Sequence, residues 1–103
     1  MKNDRVLQML SLAQRAGKVA SGEFMAEGSV KEGKSSLVII AGDASDNTKK
    51  KFTDMCKYYH VPILFYADRD TLGHAIGKEF RASISVNDPG LADEIRKRAT
   101  EVV

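Results

Sequence analysis

Two short runs of apolar and aromatic residues restrict the fold of this chain more than any other feature. Residues 37–41 read Leu-Val-Ile-Ile-Ala, and residues 63–66 read Ile-Leu-Phe-Tyr. Uninterrupted runs of this length, rich in β-branched and aromatic side chains, are typical of strands that are buried on both faces of a sheet. A strand covered on both faces needs helices above and below it, so the runs predict an α/β protein.

Segments with helical periodicity lie between and around these strands. Apolar residues recur at helical spacing in 6–16, 23–32 and 46–59, between Asp68 and Gly77, and after the Asp-Pro pair at 88–89. Residues that can cap a helix start precede four of these segments: Asn3 or Asp4, Ser45, Asp68 and Asp88. An extended piece at 18–21 and a strand at 82–86 complete the order. This alternation predicts a three-layer α-β-α sandwich with a small mixed β-sheet and helices on both faces.

Length and charge narrow the class of protein without naming a partner. With 103 residues, a hydrophobic share of 43% and a net charge of +2, the sequence fits a single soluble domain over residues 1–103. A charge this small does not indicate a nucleic-acid partner, so such evidence must lie in where the charges sit. No apolar run approaches the roughly 18 residues of a membrane span, and the start of the chain lacks a secretory apolar core. With the single cysteine, these features predict a cytoplasmic protein and no membrane partner.

The residue types that usually perform catalysis or bind metals are few and scattered. Cys56 and His60 are four residues apart, but Cys56 lies in the apolar stripe of its predicted helix, which favours a buried, inert thiol. His60 comes at the end of that helix, where capping explains it, and His74 stands alone on the next. The chain lacks a nucleophile–base–carboxylate grouping and the ligand spacing of a zinc site. We therefore expect no catalytic residues, no metal and no cofactor.

Basic residues at turns and helix starts are the better functional signal. Residues 49–51 are three lysines early in a predicted helix, where they oppose the helix dipole without an evident structural benefit. Lys18 follows a glycine, and the segment 77–81 joins glycine to Lys78, Phe80 and Arg81. Loops of this composition bring cations to phosphates and an aromatic ring to an unstacked base.

Several phrases, in order along nearly the whole chain, carry a family resemblance. They are Leu-Ala-Gln-Arg-Ala-Gly-Lys at 12–18, Ser-Gly-Glu at 21–23, the 37–41 strand with Asp-Ala-Ser at 43–45, Val-Pro at 61–62, and Leu-Gly-His-Ala-Ile-Gly at 72–77. Together they resemble the ribosomal protein family of archaeal L7Ae and eukaryotic L30e, and within it the small bacterial YlxQ-like branch. The resemblance implies a three-layer sandwich and a non-catalytic protein that binds structured RNA, typically a kink-turn built on tandem G·A pairs. It also implies that RNA contacts the start of the second helix and the loop after the Leu-Gly-x-Ala-x-Gly helix.

The RNA-reading motif of that family is only partly present. The motif is Gly-x-Asn-Glu-x-x-Lys; Gly22 matches its glycine, whereas Phe24, Met25 and Gly28 replace its asparagine, glutamate and lysine. The replacements remove the polar groups that hydrogen-bond guanine, whose imino and amino groups need acceptors. Glu23 supplies an acceptor only if the helix begins one residue differently.

The residues and the resemblance together predict one RNA-binding surface at one end of the sheet, with the acidic residues elsewhere. Its expected members are Lys18, Gly22, Glu23, Phe24, Lys49, Lys78, Phe80 and Arg81. The expected partner is a structured RNA, ribosomal or another non-coding RNA, with ribosomal or other proteins as further partners. The alternative function is a protein-interaction module on the same scaffold. Exposure of Phe24 and Met25 among few basic groups favours that alternative, whereas exposure beside Lys18, Lys78 and Arg81 favours RNA.

Overall fold

The computed structural model describes residues 4–100 of the chain as an alternation of helices and strands. In order, these elements are α1 Arg5–Arg15, β1 Val19–Ser21, α2 Glu23–Lys31, β2 Leu37–Ile40, α3 Asp46–Tyr59, β3 Ile63–Phe65, α4 Arg69–Ala75, β4 Ser83–Val86 and α5 Pro89–Thr100. The predicted alternation is confirmed.

The strands form one mixed sheet with the order β1-β4-β2-β3. β4 lies antiparallel between β1 and β2, with Ile84 opposite Ser21 on one side and Ser83 opposite Ile40 on the other. β2 and β3 are parallel, with Ile40 opposite Phe65, and α3 makes the crossover between them. Hence β1, β2 and β3 end where β4 begins. This end of the sheet, where β1, β2 and β3 have their carboxyl ends, lies at residues 21, 40, 65 and 83. We call it the carboxyl edge.

Helices cover both faces, so the sheet has a separate apolar core on each side. α1, α4 and α5 pack on one face, where Leu10, Leu72 and Ile95 are fully buried. α2 and α3 pack on the other face, around Val30 and Phe52. Successive side chains of β2 alternate between the two cores, which buries the whole strand. The predicted three-layer α-β-α sandwich is confirmed.

The predicted caps account for where four of the helices begin. Asp4, Ser45 and Asp68 each accept a hydrogen bond from a first-turn amide, at 2.9, 3.1 and 2.7 Å. Asp88 does the same for α5 at 2.8 Å. Each bond satisfies an amide that the helix itself leaves unpaired. Asn3, the alternative cap for α1, lies outside the described residues.

The prediction that residues 63–66 form a strand buried on both faces is wrong. β3 is an edge strand with half-buried side chains, and Phe65 at its end is exposed. The buried neighbour of β2 on its other side is β4, whose sequence Ser-Ile-Ser-Val alternates polar and apolar residues. The isoleucine and valine face the core of α1, so the serines face α2, where Ser85 donates a hydrogen bond to Ser35 at 2.7 Å. A hydroxyl with a partner is buried at little cost, as at Ser85, whereas the Ser83 hydroxyl is buried in the described structure without a hydrogen-bond partner.

The connection from α4 to β4 packs tightly against α4. The Lys78 amide donates to the Gly73 carbonyl oxygen at 2.8 Å, and the Arg81 amide donates to the Arg69 carbonyl oxygen at 3.1 Å. A Cβ atom added to Gly73 would lie 1.3 Å from the carbonyl oxygen of Glu79. Two backbones therefore meet at Gly73, and this contact holds the 77–82 connection at the carboxyl edge.

Replacing Gly73 by alanine is expected to lower the free energy of unfolding by about 2–3 kcal/mol, because the connection must shift to admit the added carbon. Gly28→Ala is the matched control, since Gly28 lies within α2 and its added Cβ has nothing within 4 Å. Helix propensity predicts that the control gains about 0.5–1 kcal/mol. Chemical denaturation of both variants measures the difference, and equal stabilities would contradict the close packing at Gly73.

Candidate functional site

The carboxyl edge brings together segments that are distant in sequence. α2 follows β1 there, α3 follows β2, and α4 follows β3. The 77–82 connection returns to the same edge to enter β4, which pairs with β1. The connection therefore lies beside the start of α2. We call residues 22–25 together with residues 77–82 the α2–loop surface.

Gly22 determines how α2 leaves the sheet. Its amide donates to the Ser83 carbonyl oxygen at 2.9 Å, which ties the turn after β1 to the start of β4. Its φ of 92° lies in a region that only glycine adopts readily. Gly22 is also the N-cap of α2 and has no side chain with which to bond the first-turn amides. Amides at a helix start that lack such a cap attract anions such as phosphate.

Phe24 and Met25 project from the first turn of α2 towards solvent, where the two residues are 83% and 57% exposed. The helix buries Ala26, Ser29 and Val30 against the sheet. In a helix of 3.6 residues per turn, position 24 lies opposite that stripe and position 25 lies at its border. The phase of α2 thus places two large apolar side chains on the surface.

The carboxylate of Glu23 is bound to α3. Thr48 Oγ1 donates to one of its oxygens at 3.4 Å, and Lys51 Nζ donates to the other at 3.0 Å. Lys51 also pairs with Glu27 at 2.7 Å, and Glu27 pairs with Lys31 at 2.7 Å. Hydrogen bonds from Lys31 and Lys51 hold the pKa of Glu27 below its ordinary value. The bonds to Glu27 and Glu23 raise the pKa of Lys51, so these ion pairs join α2 to α3.

This network corrects the prediction that the lysines at 49–51 have no structural benefit. Lys51 joins two helices, and Lys50 pairs with Asp54 one turn later at 3.1 Å. Lys49 precedes the buried Cys56 by two turns on the core-facing side of α3, so it is half-buried at the carboxyl edge. Within residues 4–100, Lys49 is the lysine of this trio that has no ion pair.

Arg81 links the two parts of the α2–loop surface. Its Nε donates to Ser21 Oγ at 3.2 Å, directly before Gly22, and its Nη1 donates to the Phe80 carbonyl oxygen at 2.8 Å. Phe80 is 64% exposed, and Lys78 is exposed as well. An open depression in this region is lined by His74, Gly77, Lys78, Glu79 and Arg81. Arg81 therefore lies at the turn that begins α2, on a connection that also carries Lys78, Glu79 and Phe80.

Lys18 does not lie with these residues. Its carbonyl oxygen accepts a hydrogen bond from the Asn87 amide at 2.7 Å, and the next residue, Val19, pairs with Val86 at the end of β4. This register places Lys18 at the sheet edge opposite the carboxyl edge. The prediction that Lys18 and Gly22 border the same end of the sheet is wrong, because β1, although short, runs from one edge to the other.

The prediction that the acidic residues lie away from the basic ones is also wrong. Asp43, Asp46, Asp68 and Asp70 occupy the carboxyl edge, in the turns and first helical turns that begin α3 and α4. Asp43 accepts from the Arg69 amide at 2.9 Å and pairs with its guanidinium at 3.5 Å. Carboxylates are favoured at helix starts by the helix dipole. The α2–loop surface is itself mixed in charge, with Lys78 and Arg81 beside the carboxylates of Glu79 and Glu23, of which Glu23 is paired with Lys51.

The described part of the chain holds no arrangement that points to a metal centre or a reactive thiol. Residues 4–100 contain no group of three or more His, Cys, Asp or Glu side chains placed to bind a metal ion. Cys56 is buried as predicted, and burial raises the pKa of its thiol to about 11. His60 ends α3 as its C-cap, and His74 is exposed. No helix within this range is long and apolar enough to cross a membrane.

Two features of the structure have no signal in the sequence. Ser21 and Thr48, which contact Arg81 and Glu23, are ordinary polar residues far along the chain from their partners. A groove of about 650 Å³ between α1 and α4 has walls that include Leu7, Ser11, Thr71 and His74. Only the tertiary arrangement of the elements reveals these contacts and this groove.

Comparison with known proteins relates the chain to one family. Residues 4–95 match the model of the ribosomal protein L7Ae/L30e/S12e/Gadd45 family. The RNA-binding protein YlxQ of Bacillus subtilis is 44% identical over 87 residues, which are 84% of this chain and 87% of that protein. This degree of identity over most of both chains is consistent with the family match.

Solved structures give the same relationship. A protein of unknown function from Bacillus halodurans has a TM-score of 0.92 at 36% identity, covering 95% of this chain and 99% of that one. The Giardia lamblia 15.5kD RNA binding protein has a TM-score of 0.77, covers 93% of this chain and 82% of that one, and supports the fold alone at 24% identity. The chain therefore belongs to the ribosomal protein L7Ae/L30e/S12e/Gadd45 family, in its bacterial YlxQ branch.

Proposed function

We propose that this protein binds structured RNA through the α2–loop surface, without catalysis and without a cofactor. The observation that carries the proposal is the placement of Arg81, whose side chain joins the cationic 77–82 connection to the turn before α2. The Bacillus subtilis relative carries the name of an RNA-binding protein. We place the protein in the cytoplasm, on ribosomal RNA or on another non-coding RNA with a bent internal loop, which is the kind of target that the family resemblance implies.

Phosphate contacts supply the first part of the binding energy in this proposal. Lys78 and Arg81 reach phosphates of one RNA segment, and Lys49 approaches the same segment from α3. Gly22 lets the RNA backbone come close to the amides at the start of α2. Lys18 takes no part, because it lies at the opposite edge of the sheet.

Side chains without an unpaired charge supply the second part of the binding energy. Phe80 offers an exposed ring to a base that has left its stack. Glu23 acts indirectly: its ion pair with Lys51 holds the start of α2 against α3 and neutralises a carboxylate that would repel phosphate. Glu23 is therefore a positioning residue, whereas Phe80 contacts the RNA.

The exposure of Phe24 and Met25 also fits the alternative of a protein-interaction module. RNA is favoured over a protein because Arg81 lies at the same helix start, where it complements a phosphate, and Lys78 is exposed on the same connection. Retention of a protein and no RNA by the immobilised chain, with retention lost in a Phe24→Ala variant, would favour the module instead.

Replacing Lys78 by alanine is expected to weaken RNA binding about 5-fold and to reduce the slope of log affinity against log salt by about one unit. Lys18→Ala is the matched control, since it removes the same charge from an exposed lysine at the opposite edge. Filter binding of a folded RNA over a range of salt measures both quantities. The proposed surface would be misplaced if the Lys18 variant lost affinity and the Lys78 variant kept it.

Replacing Lys51 by methionine is expected to weaken RNA binding about 3-fold, because an unpaired Glu23 carboxylate then faces the RNA. Lys50→Met is the control, because it removes the same charge but frees Asp54, which is further along α3. Adding Glu23→Gln to the Lys51 variant should restore affinity. Equal losses for the Lys50 and Lys51 variants, with no rescue, would show that only net charge matters.

A further inference from the structure

We infer, on the basis of the proposed function, that Phe24 determines RNA specificity by stacking on an unpaired base. In this inference the surface selects RNA that presents unstacked bases and does not read the guanine edges of tandem G·A pairs. The expected ligand is thus a folded RNA with a bulge or an open internal loop. The base pairs that flank the bulge can be G·A or Watson–Crick pairs with little change in affinity.

The first step is that the first turn of α2 carries one side chain with strong acceptors, the carboxylate of Glu23, and that hydrogen bonds from α3 hold it. The imino and amino groups of guanine are donors and need acceptors on the protein. Both oxygens of Glu23 already accept hydrogen bonds, from Thr48 and Lys51. Phe24 and Met25 follow it, and neither offers a strong acceptor. The first turn therefore has little with which to distinguish guanine from other bases by hydrogen bonding.

The second step is that the ring of Phe24 is accessible to a ligand and contributes little to the packing of the protein. Phe24 is the most exposed of the large apolar residues in the described range, at 83%. It lies opposite the buried stripe of α2, so no rotamer can bring it into the core beneath that helix. Its exposed ring provides a flat face of the kind on which any base can stack.

The third step is the charge at the turn that begins α2. Arg81 contacts Ser21, directly before the glycine that begins α2, and its connection also carries Lys78, Glu79 and Phe80, so two cations share the connection with one carboxylate. These cations complement a phosphate backbone, which commits the ring to RNA as its occupant. The aspartates at the starts of α3 and α4 limit how much RNA the rest of the edge can hold by charge alone. Because few cations are present, electrostatic attraction alone gives weak binding, and stacking on Phe24 supplies the rest of the affinity.

The experiment compares three RNA hairpins by direct titration. The first carries an unpaired bulge flanked by tandem G·A pairs, the second carries the same bulge flanked by Watson–Crick pairs, and the third is fully paired. The native protein is expected to bind the two bulged RNAs within about 3-fold of each other and the paired RNA at least about 10-fold more weakly. Preference for the G·A hairpin by about 10-fold or more would overturn the inference.

Substitution of Phe24 then separates stacking from other contacts. Phe24→Ala is expected to lose about 5- to 100-fold in affinity for both bulged RNAs and little for the paired RNA. Tyr58→Ala is the control, since Tyr58 is also a highly exposed aromatic residue, at 75%, and lies at the far end of α3. The double variant Phe24→Asn/Met25→Glu restores the acceptors of the family motif and is expected to gain a preference for the G·A hairpin.

The outcomes distinguish this inference from the function on which it rests. Unchanged affinity in Phe24→Ala, with affinity still lost in Lys78→Ala, would overturn the stacking role and leave RNA binding in place. Failure of the native protein to bind any of the three hairpins would overturn the proposed function itself. Thermal unfolding checks the variants, and an exposed residue such as Phe24 is expected to change stability by less than about 0.5 kcal/mol.

Discussion

The antiparallel insertion of β4 between β1 and β2 is the constraint on which the rest of this structure depends. Because β4 begins where β1 ends, the connection that enters β4 must lie beside the helix that leaves β1. The Gly22 amide on the Ser83 carbonyl oxygen closes this junction, and the backbone contact at Gly73 holds the connection from its other side. The Arg81 side chain then spans the remaining gap to Ser21. Two segments more than fifty positions apart in sequence become one surface through backbone pairing, with side chains only adding to it.

The charges at this edge show how a protein with a net charge of +2 offers cations to RNA. The aspartates near the carboxyl edge sit at helix starts, where the dipole stabilises them, and Asp43 is already paired with Arg69. Glu23 is neutralised by Lys51, and the positive groups left beside α2 are few. The surface combines Arg81 and Lys78 with Glu79 and with two exposed rings, Phe24 and Phe80. It suits an RNA that offers both a phosphate backbone and an unstacked base.

The sequence was sufficient to predict local features, but not those that depend on how the strands pair in the sheet. Caps such as Ser45 and Asp68, the buried run at 37–41 and the burial of Cys56 follow from residue type and spacing alone. Which strand occupies the middle of the sheet does not, because the alternating serines of β4 are typical of a strand with one exposed face, whereas here α2 covers that face. The position of Lys18 depends on the direction of β1 in the sheet, and the Glu23–Lys51 pair joins residues that no sequence rule relates.

The central claim is that RNA binds at the carboxyl edge beside α2, and amide chemical shifts during an RNA titration test it most directly. The probe is the hairpin with an unpaired bulge, added to the isotopically labelled native protein. The amides of residues 22–25 and 77–82 are predicted to shift together and to saturate at one stoichiometry. The amides of residues 17–19 and 57–60, which lie at the opposite end of the sheet and of α3, are predicted to stay in place. Shifts confined to that opposite end, with residues 22–25 and 77–82 unmoved, would contradict the account.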